Sequence, residues 1–405
     1  MPSEKPRLWV VCEVYYPEMT STGYYLTAIA EGLADTFDIK VICGQPNYSR
    51  RGTKAANHEL HNDVEIFRVW STTLDKNVIV NRLVNMLTIG TAMLVKAFRH
   101  FRQGDRILVV TNPPSLPFTI ALPALLRGAS YNLLLHDVYP EQLVATGHAR
   151  PDSSIVRLLH ACNSWLYKHA TRIIVVGRDM RELIATKTSG LDIPITVIPN
   201  WAELELVEPR ERVGNELLRK LGIEDKFVFL YAGNLGRPND IETIAACADL
   251  LGDDDRCHFV FVGDGAKKKW LETTIRELGL ENISIVGPKP RNEQSIFLNA
   301  CDVALISLVP GMWGKAMPSR TYNILAAGKP ILALTDDGSE LARVVDEEAV
   351  GWHIPPGDPE LLRSTIVEIL EKRDQIAGMS ARSRNAAVTE YSAEAAIAAY
   401  KDVLK

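Results

Sequence analysis

The stretch KAMPSRTYNILAAGKP, from Lys315 to Pro330, decides the fold of this chain. A Pro-Ser pair opens it, Gly328 closes it, and the apolar run Ile331–Leu334 follows. Helical spacing separates three of its apolar residues, Tyr322, Leu325 and Ala326. A short helix that ends at a glycine and leads into an apolar strand is typical of an α/β unit.

Ser319 falls where the N-cap or first turn of that helix is expected. Backbone N–H groups lack helical partners there, and the helix dipole is positive. Lys315 and Arg320 add positive charge on either side. The stretch therefore predicts a phosphate site, although most helix starts of α/β units bind nothing.

Short apolar runs alternate with helical patterns on both sides of this stretch. Seven lie in the first half: Leu8–Val14, Ile39–Cys43, Val64–Trp70, Arg106–Thr111, Tyr131–Leu135, Arg172–Val176 and Ile195–Ile198. Six lie in the second: Phe227–Ala232, His258–Val262, Ile283–Val286, Val303–Ile306, Ile331–Leu334 and Gly351–Ile354. Apolar strands separated by helices predict parallel sheets with both faces covered, so we expect an α/β protein of two doubly wound, Rossmann-like domains.

The length of 405 residues fits two domains of about 200 residues each. A polar stretch without strand pattern, Ala202–Asn215, marks the break. We place a first domain at 1–201 and a second at 202–380. The last helix, 381–405, has no strand after it and is expected to pack on the first domain.

Composition excludes several classes of protein. A net charge of −5 argues against a general nucleic-acid binder. The six cysteines form no CxxC pair and indicate reduced thiols in a cytoplasmic protein. The apolar run after the charged N-terminus is too short for a signal peptide, and no stretch is long and apolar enough to span a membrane.

Ligands of open α/β sheets bind beyond the carboxyl ends of the strands, so the loops that follow the predicted strands are the candidate binding loops. Tyr15–Leu26 carries Gly23, which allows close backbone approach or serves a simple turn. Leu133–Leu143 leaves a buried strand at His136 and Asp137. Titratable groups in that position are either a satisfied buried pair or functional.

Two further loops lie in the second half. YAGNLGRPND, residues 231–240, contains Gly233 and Gly236 without matching GxGxxG, and with Arg237 it fits a phosphate cradle. The segment VGDGAKKKW, residues 262–270, predicts a tight turn followed by a helix whose lysines face the solvent. His58 and His61 have a metal-like spacing but are interpreted as surface histidines in a polar loop, so no metal site is predicted.

The segment Asn77–Arg102 predicts a long helix that is apolar over most of its length. It is either a core helix or a helix partly exposed at a membrane surface. Four basic residues, at Arg82, Lys96, Arg99 and Arg102, favour anionic headgroups in the second case. That case would suit a lipid-linked acceptor.

Taken together, the loops make the chain resemble the retaining GT-B glycosyltransferases of family 4, in the branch that builds bacterial surface polysaccharides. Seven segments in order carry the resemblance: Tyr15–Gly23, His136–Glu141, Ile173–Met180, Val197–Trp201, Tyr231–Gly236, Val262–Gly265 and Met317–Pro330. The resemblance implies two domains facing a cleft, a nucleotide-sugar donor on the second domain and a glycan or lipid-linked acceptor on the first. UDP is expected from family frequency.

The resemblance also implies residue roles. Donor contacts would come from Gly23, Gly233, Asn234, Gly236, Arg291, Lys315, Pro318, Ser319, Arg320 and Asn323. Among them, Pro318 and Ser319 would bind the diphosphate, Asn323 the ribose, and Arg291 would lie near the base. His136 and Asp137 would stand near the sugar and the acceptor.

This chain departs from the family at two points. The family's glutamate pair, seven residues apart, falls at about Lys315 or Ala316 and at Asn323, so the first carboxylate is missing. The family's arginine and lysine after the first strand of the second domain align with Asn234 and Asn239, which leaves Arg237 as the expected cation, supported by Lys315 or Arg320.

The expected mechanism stabilises a leaving diphosphate with fixed donors and Arg237, and it needs neither metal nor cofactor. Asp137 would orient the acceptor hydroxyl or act as base, with His136 as the alternative. Two other functions remain open. A nucleotide-sugar 2-epimerase shares the architecture but is expected to carry more carboxylates, and an inactive nucleotide-sugar-binding module would fit the missing glutamate. The enzyme is expected in the cytoplasm, in peripheral contact with the inner membrane.

Overall fold

A computed structural model describes residues 5–46, 54–74 and 79–405, with the side chain of Ile79 left out. The chain divides into two compact units. Unit 1 comprises 1–140, 152–199 and 396–405, and unit 2 comprises 141–151 and 200–395. The division after Pro199 lies two residues before the boundary expected from the sequence.

Unit 1 is built on an eight-stranded sheet in the order β3-β4-β2-β1-β5-β6-β7-β8. Its strands are β1 (Arg7–Val11), β2 (Asp38–Gly44), β3 (His58–His61), β4 (Val64–Val69), β5 (Arg106–Val110), β6 (Ser130–Leu135), β7 (Arg172–Val175) and β8 (Ile195–Val197). All neighbours pair in parallel except β3 and β4. The strand order reverses at β1, which lies between β2 and β5.

Helices of unit 1 connect these strands. They are α1 (Ser21–Leu33), α2 (Ile79–His100), α3 (Leu116–Arg127), α5 (Ser154–His169) and α6 (Arg178–Lys187). The long helix expected at 77–102 is therefore present as α2, although Asn77 and Val78 lie outside the described residues. No helix among the described residues is both long and apolar enough to cross a bilayer.

Strand β3 corrects the expectation of a polar loop around the two histidines. It is an antiparallel edge strand whose alternating side chains are exposed. His58 lies 2.8 Å from the Glu65 carboxylate, and the His61 ring stacks on Tyr16 at 3.8 Å between centroids. An edge strand with one solvent-facing side needs no apolar run, so the sequence did not reveal it.

Unit 2 is built on a six-stranded parallel sheet in the order β11-β10-β9-β12-β13-β14. Its strands are β9 (Phe227–Ala232), β10 (Cys257–Val262), β11 (Ile283–Val286), β12 (Val303–Ser307), β13 (Ile331–Leu334) and β14 (Gly351–Ile354). Residues of β9, β10 and β12 are buried throughout, and these central strands are apolar except for His258 in β10 and Ser307 at the end of β12. All thirteen strands expected from the sequence are present.

The helices of unit 2 surround this sheet. They are α4 (Glu141–Ala145), α7 (Glu216–Leu221), α8 (Ile241–Leu250), α9 (Lys268–Leu278), α10 (Gln294–Leu298), α11 (Arg320–Ala326), α12 (Glu340–Glu347), α13 (Pro359–Glu371) and α14 (Gln375–Thr389), with a single 3-10 turn at Arg291–Glu293. Gly328, with φ of 63°, follows α11 as expected.

The C-terminus differs in part from the expectation for 381–405. Residues 381–395, including the end of α14, belong to unit 2. Only the last helix, α15 (Ala393–Leu404), enters unit 1, where Ile397 fills the space beside Gly32 and Lys401 bonds Asp35 at 2.6 Å. Packing of the terminal helix on the first domain is therefore confined to 396–405.

Candidate active site

The strand order of unit 2 reverses between β9 and β12, and ligands of doubly wound sheets bind at such a point. The loop after β9, residues 233–240, and the loop between β12 and α11, residues 308–319, both begin at that edge. Most of the donor residues expected from the sequence lie on these two loops. Fold topology therefore brings Gly233, Arg237 and Arg320 to one side of the sheet.

The loop after β9 is braced by its own polar groups. The Asn239 side chain donates to the Asn234 carbonyl at 3.0 Å, and the Tyr231 hydroxyl donates to the same carbonyl at 2.9 Å. The Lys267 ammonium bonds the Asn239 carbonyl at 2.7 Å and the Glu242 carboxylate at 2.7 Å. Lys267 is thus part of the loop's framework rather than of a solvated face.

Glycines in this region allow the loops to pack on each other. A Cβ on Gly263 would lie 1.9 Å from the Gly233 carbonyl oxygen, and both residues have φ near 150°. A Cβ on Gly265 would lie 2.5 Å from the Leu235 carbonyl. Only glycine fits at this distance, so these positions are explained by loop packing before any ligand is considered.

Arg320 extends from the start of α11 onto the loop after β9. Its Nη2 donates to Asn239 Oδ1 at 2.6 Å, and its guanidinium carbon lies 4.5 Å from the centre of the Tyr231 ring. Its Nη1 occupies the space where a Cβ on Gly233 would lie, at 2.4 Å. The buried Nε has no hydrogen-bond partner among the described residues. A fixed positive charge therefore stands at the β9–β12 switch point.

The other two expected cations are placed differently. Arg237 is exposed and lines a cavity of about 380 Å³ together with Lys267, Thr146 and Val309. The Lys315 ammonium donates to the Gly311 carbonyl, and burial lowers the pKa of Lys315. Of the three candidates, Arg320 is the one held by both a hydrogen bond and an aromatic ring.

Ser319 occupies the N-cap position of α11, but its side chain makes no capping hydrogen bond. Pro318 precedes it and accepts hydrogen bonds from the Thr321 amide at 3.1 Å and the Thr321 hydroxyl at 2.7 Å. The predicted phosphate site at Pro318 and Ser319 stays a prediction. The helix behind it has only seven residues, which limits the contribution of its dipole.

A buried polar network joins Arg291 and Asn323 through Glu203, which the sequence analysis had assigned to a linker. Arg291 Nε lies 2.7 Å from Glu203 Oε2, and its Nη2 lies 2.5 Å from Oε1. Asn323 donates to Glu203 Oε1 and to Gln294 Oε1, the latter at 2.8 Å. Its own Oδ1 accepts the Glu203 amide at 2.9 Å.

This network gives Asn323 a role that the sequence did not predict. Both of its amide hydrogens are directed at protein acceptors, so its side chain holds Glu203 and Gln294 in place. The Glu203 side chain is 1% exposed and that of Arg291 is 10% exposed, which makes this a buried bidentate ion pair. Direct contact of Asn323 with a ribose remains a prediction.

In unit 1, His136 and Asp137 follow β6 next to the end of β5. Their backbone amides both donate to the Thr111 hydroxyl oxygen, at 3.2 and 3.4 Å. His136 Nε2 is buried and has no hydrogen-bond partner among the described residues. Burial lowers the pKa of His136 to about 4. The imidazole is therefore neutral near pH 7, which suits a hydrogen bond better than proton transfer.

Gly23 lies in the first turn of α1, next to the reversal of strand order at β1. Its amide donates to the Thr20 hydroxyl, and a Cβ on it would lie 2.8 Å from the Glu18 carbonyl oxygen. The glycine is thus required by close backbone packing, and no positive φ is involved. Its contact with a diphosphate stays a prediction.

Several residues organise these sites in roles that the sequence did not predict. They are Thr111, Glu203, Tyr231, Asn239, Lys267 and Gln294. The role of Thr111 could have been predicted, because Thr111 is a polar residue at the end of a buried strand, as His136 is. The role of Glu203 could not have been predicted from nearby residues, since its partners are 88 and 120 residues away in sequence. Among the described residues, no group of three or more histidines, cysteines and carboxylates is arranged to hold a metal ion.

Comparison with known proteins identifies both halves of the chain. Residues 21–201 match the model of the glycosyl transferase 4-like domain, and residues 214–387 match that of the glycosyl transferases group 1. The chain is 34% identical to the probable glycosyltransferase WbjE of Pseudomonas aeruginosa over 370 residues, which covers 90% of each chain.

Solved structures that resemble the whole chain include those of HepE and WaaG. One is Anabaena Alr3699/HepE in complex with UDP-glucose, with a TM-score of 0.72, 16% identity, and coverage of 98% of this chain and 99% of that one. The other is WaaG, a glycosyltransferase involved in lipopolysaccharide biosynthesis, with a TM-score of 0.71, 15% identity and the same coverage. The expected GT-B fold is confirmed.

Proposed function

Because this chain belongs to the group 1 glycosyl transferases, we propose that it transfers a sugar from a nucleotide-sugar to a glycan or lipid-linked acceptor with retention of anomeric configuration. The donor is a UDP-sugar and the product a surface polysaccharide. One observation carries the proposal, namely the fixed guanidinium of Arg320 at the β9–β12 switch point. The names of the relatives agree with it, since one binds UDP-glucose and another serves lipopolysaccharide biosynthesis.

The donor diphosphate binds between the loop after β9 and the start of α11. Arg320 supplies a positive charge there, with Ser319 and the first amides of α11 as further donors. Arg237 lies on the same loop after β9, and with Lys267 it lines the neighbouring cavity. The nucleoside lies toward the buried pair of Arg291 and Glu203.

Bond cleavage builds negative charge on the leaving diphosphate and positive charge on the sugar ring. Cations held in position stabilise that negative charge without reorganisation, so Arg320 performs the function that the sequence analysis had given mainly to Arg237. The reaction then proceeds without a metal ion. The leaving phosphate oxygen accepts the proton of the acceptor hydroxyl on the face where the sugar bond breaks, which gives retention.

The acceptor binds at His136 and Asp137. Neutral His136 carries a buried Nε2 that makes no hydrogen bond to the described part of the chain and is available to a sugar hydroxyl. Asp137 orients the acceptor hydroxyl or assists as a base. The enzyme acts at the cytoplasmic face of the inner membrane, in agreement with its six free thiols.

A panel of nucleotide-sugars tests the proposal. We expect UDP release that depends on an acceptor extract and continues after treatment with EDTA. Acceptor-independent appearance of free epimerised sugar would indicate the 2-epimerase, and binding without turnover would indicate an inactive module. Loss of activity with EDTA and recovery with Mn²⁺ would contradict the metal-free mechanism.

The Arg320→Ala variant tests the donor site, with Arg237→Ala as its matched control on the neighbouring loop. We expect the Arg320 variant to lose roughly 10- to 100-fold in UDP affinity by calorimetry, because a charge-assisted hydrogen bond contributes about 1.5–3 kcal/mol. A larger loss in the Arg237 variant would return the main role to Arg237.

A further inference from the structure

The segment 141–151, which contains α4, belongs to unit 2, although the chain before and after it belongs to unit 1. Ala145 and Thr146 of this segment line the cavity of about 380 Å³ together with Arg237 and Val309. Arg237 lies on the loop after β9, and Val309 lies on the loop between β12 and α11. The segment therefore borders both loops of the candidate donor site.

The loop between β12 and α11 is fixed to the turn after β13 by Asp336. One carboxylate oxygen of Asp336 accepts the Gly311 amide at 2.9 Å, and the other accepts the Trp313 amide at 2.8 Å. The Trp313 indole N–H donates to the Gly338 carbonyl at 3.1 Å. Within the loop, the Lys315 ammonium donates to the Gly311 carbonyl. Lys315 therefore has a defined position on this loop.

The ammonium of Lys315 interacts electrostatically with the segment 141–151. Burial lowers the pKa of Lys315, whereas the carboxylates of Asp336 and Glu141 raise it. The charge of Asp336 is already stabilised by two backbone amides. Glu141 lies in the first turn of α4, where its side chain is half-buried and its Oε2 is shielded from solvent. A carboxylate from another segment thus lies near the ammonium at position 315.

Position 315 is also about the place where the family resemblance leads one to expect the first glutamate of a pair. At the second position of that pair this chain has Asn323, and the carboxylate of Glu203 accepts the Asn323 amide there. Glu141 beside Lys315 repeats this arrangement. Both positions therefore have a carboxylate nearby that a different segment supplies.

We propose that Glu141 binds hydroxyl groups of the donor sugar and so supplies the carboxylate that is missing from the loop at 315. The loop leads directly into α11, where the diphosphate is proposed to bind, so the sugar attached to that diphosphate reaches the same part of unit 2. A carboxylate has two acceptor oxygens for hydroxyl donors, and such charge-assisted bonds are strong. Lys315 favours the ionised carboxylate. The proposal deepens the proposed function, on which it rests for a nucleotide-sugar donor.

A comparison of UDP with UDP-sugars tests this role, because UDP has the diphosphate but lacks the sugar. We expect Glu141→Gln to weaken binding of UDP-glucose and UDP-N-acetylglucosamine roughly 10-fold in calorimetry, since a charge-assisted bond becomes a neutral one. The affinity for UDP should stay unchanged. Glu277→Gln, at an exposed glutamate of α9, is the matched control and should change neither affinity.

A second substitution returns the carboxylate to the loop. Lys315→Glu alone should weaken binding of both UDP-sugars, because two neighbouring carboxylates then repel each other. Lys315→Glu combined with Glu141→Gln should recover most of the affinity that Glu141→Gln loses. A residue that only stabilised the fold would show no such rescue. A double variant that binds the UDP-sugars no better than Glu141→Gln would overturn the proposal.

Arg320→Ala should give the opposite pattern, with UDP and UDP-sugars weakened alike, because Arg320 is assigned to the diphosphate. If Glu141→Gln shows that same pattern, or leaves all three affinities unchanged, Glu141 does not contact the sugar. Melting profiles check the folding of each variant. Turnover of the unaltered protein is measured separately. Normal sugar transfer with an unaffected Glu141→Gln variant would remove this inference alone, whereas absence of any transfer by the unaltered protein would remove the proposed function.

Discussion

Replacing Glu203 by glutamine tests whether the buried network of unit 2 acts through its charge. Glutamine has nearly the same shape, so the substitution removes the negative charge and turns one of the two acceptor oxygens into an NH2 donor. Arg291 would then keep a buried guanidinium whose Nε and Nη2 face an amide instead of a carboxylate. The one oxygen that glutamine keeps can accept from Asn323 and Arg291 Nη2 or from Arg291 Nε, but not from all three, and the glutamine NH2 group then faces another donor.

The expected loss of stability follows from the burial of the Glu203–Arg291 pair. Removing one partner of a buried ion pair costs about 3–5 kcal/mol, because the other charge stays desolvated and unpaired. Arg291 is 10% exposed and keeps some access to water, so we expect the lower end, about 3 kcal/mol. For a unit of this size that corresponds to a fall in melting temperature of about 6–12 °C.

Calorimetry of the full chain measures the change, and hydrogen exchange at the amides of α11 assigns it to this network. Glu293→Gln is the control, because Glu293 forms an exposed pair with Lys289 at 3.0 Å and should cost less than about 1 kcal/mol. In contrast, Glu203→Leu combined with Arg291→Met should recover most of the stability, since no buried charge remains.

Donor binding separates a functional network from a merely structural one. If the pair positions the nucleoside, the stable double variant still binds UDP poorly. If the double variant binds UDP normally, the network serves stability alone. A Glu203→Gln variant as stable as the parent protein would refute the reasoning at its first step.

Three further outcomes are expected. Asp137→Asn should lower kcat by about 10²–10⁴-fold with little change in donor affinity, measured by steady-state kinetics, and near-normal turnover would show that the residue is structural. Gly233→Ala should weaken UDP binding about as much as Arg320→Ala, because the alanine Cβ would lie 2.4 Å from Arg320 Nη1 and displace the guanidinium. Unchanged UDP affinity in calorimetry would contradict the placement of the diphosphate at Arg320. Burial lowers the pKa of His136 from 6.5 to about 4. As the pH falls from 6.5 toward about 4, this imidazole therefore takes up a proton in the unfolded chain but stays neutral in the folded one. Unit 1 should therefore lose up to about 3 kcal/mol of stability from pH 7 to pH 4, and His136→Gln should flatten that slope in denaturant titrations.

The sequence predicted the sheets well because their central strands are buried on both faces. Such strands are mostly apolar: β9 is apolar throughout, and β10 is apolar except for His258, whose ring bonds the Ser284 hydroxyl. Strand β3 was missed for the same reason, since His58 and Glu59 at a solvent-facing edge carry no burial signal. Strand prediction from apolar runs thus succeeds for the buried strands and for the partly buried edge strands β8, β11 and β14, and it fails at β3, whose sequence HELH has a single apolar residue.

Candidate site residues were predicted by position but only partly by role. The glycine-rich loops do lie at the strand ends, as the order of strands requires. However, Gly263 and Gly265 are explained by loop packing, and the direction of the Arg320 side chain depends on Tyr231 and Asn239, more than 80 residues away along the chain. Local sequence does not determine which of several nearby cations faces a site.

Asn323 illustrates the limit most clearly. Resemblance to the family leads one to expect a glutamate there, and the asparagine in its place was expected to bond a ribose hydroxyl. In the folded chain the Asn323 amide instead holds the carboxylate of Glu203, so a negative charge stands beside this position although it comes from another segment. A carboxylate at both positions would place two negative charges side by side in a buried site, which is costly. Asparagine at 323 and glutamate at 203 therefore belong together, and the absence of a glutamate at 323 is weak evidence that the site has lost its function.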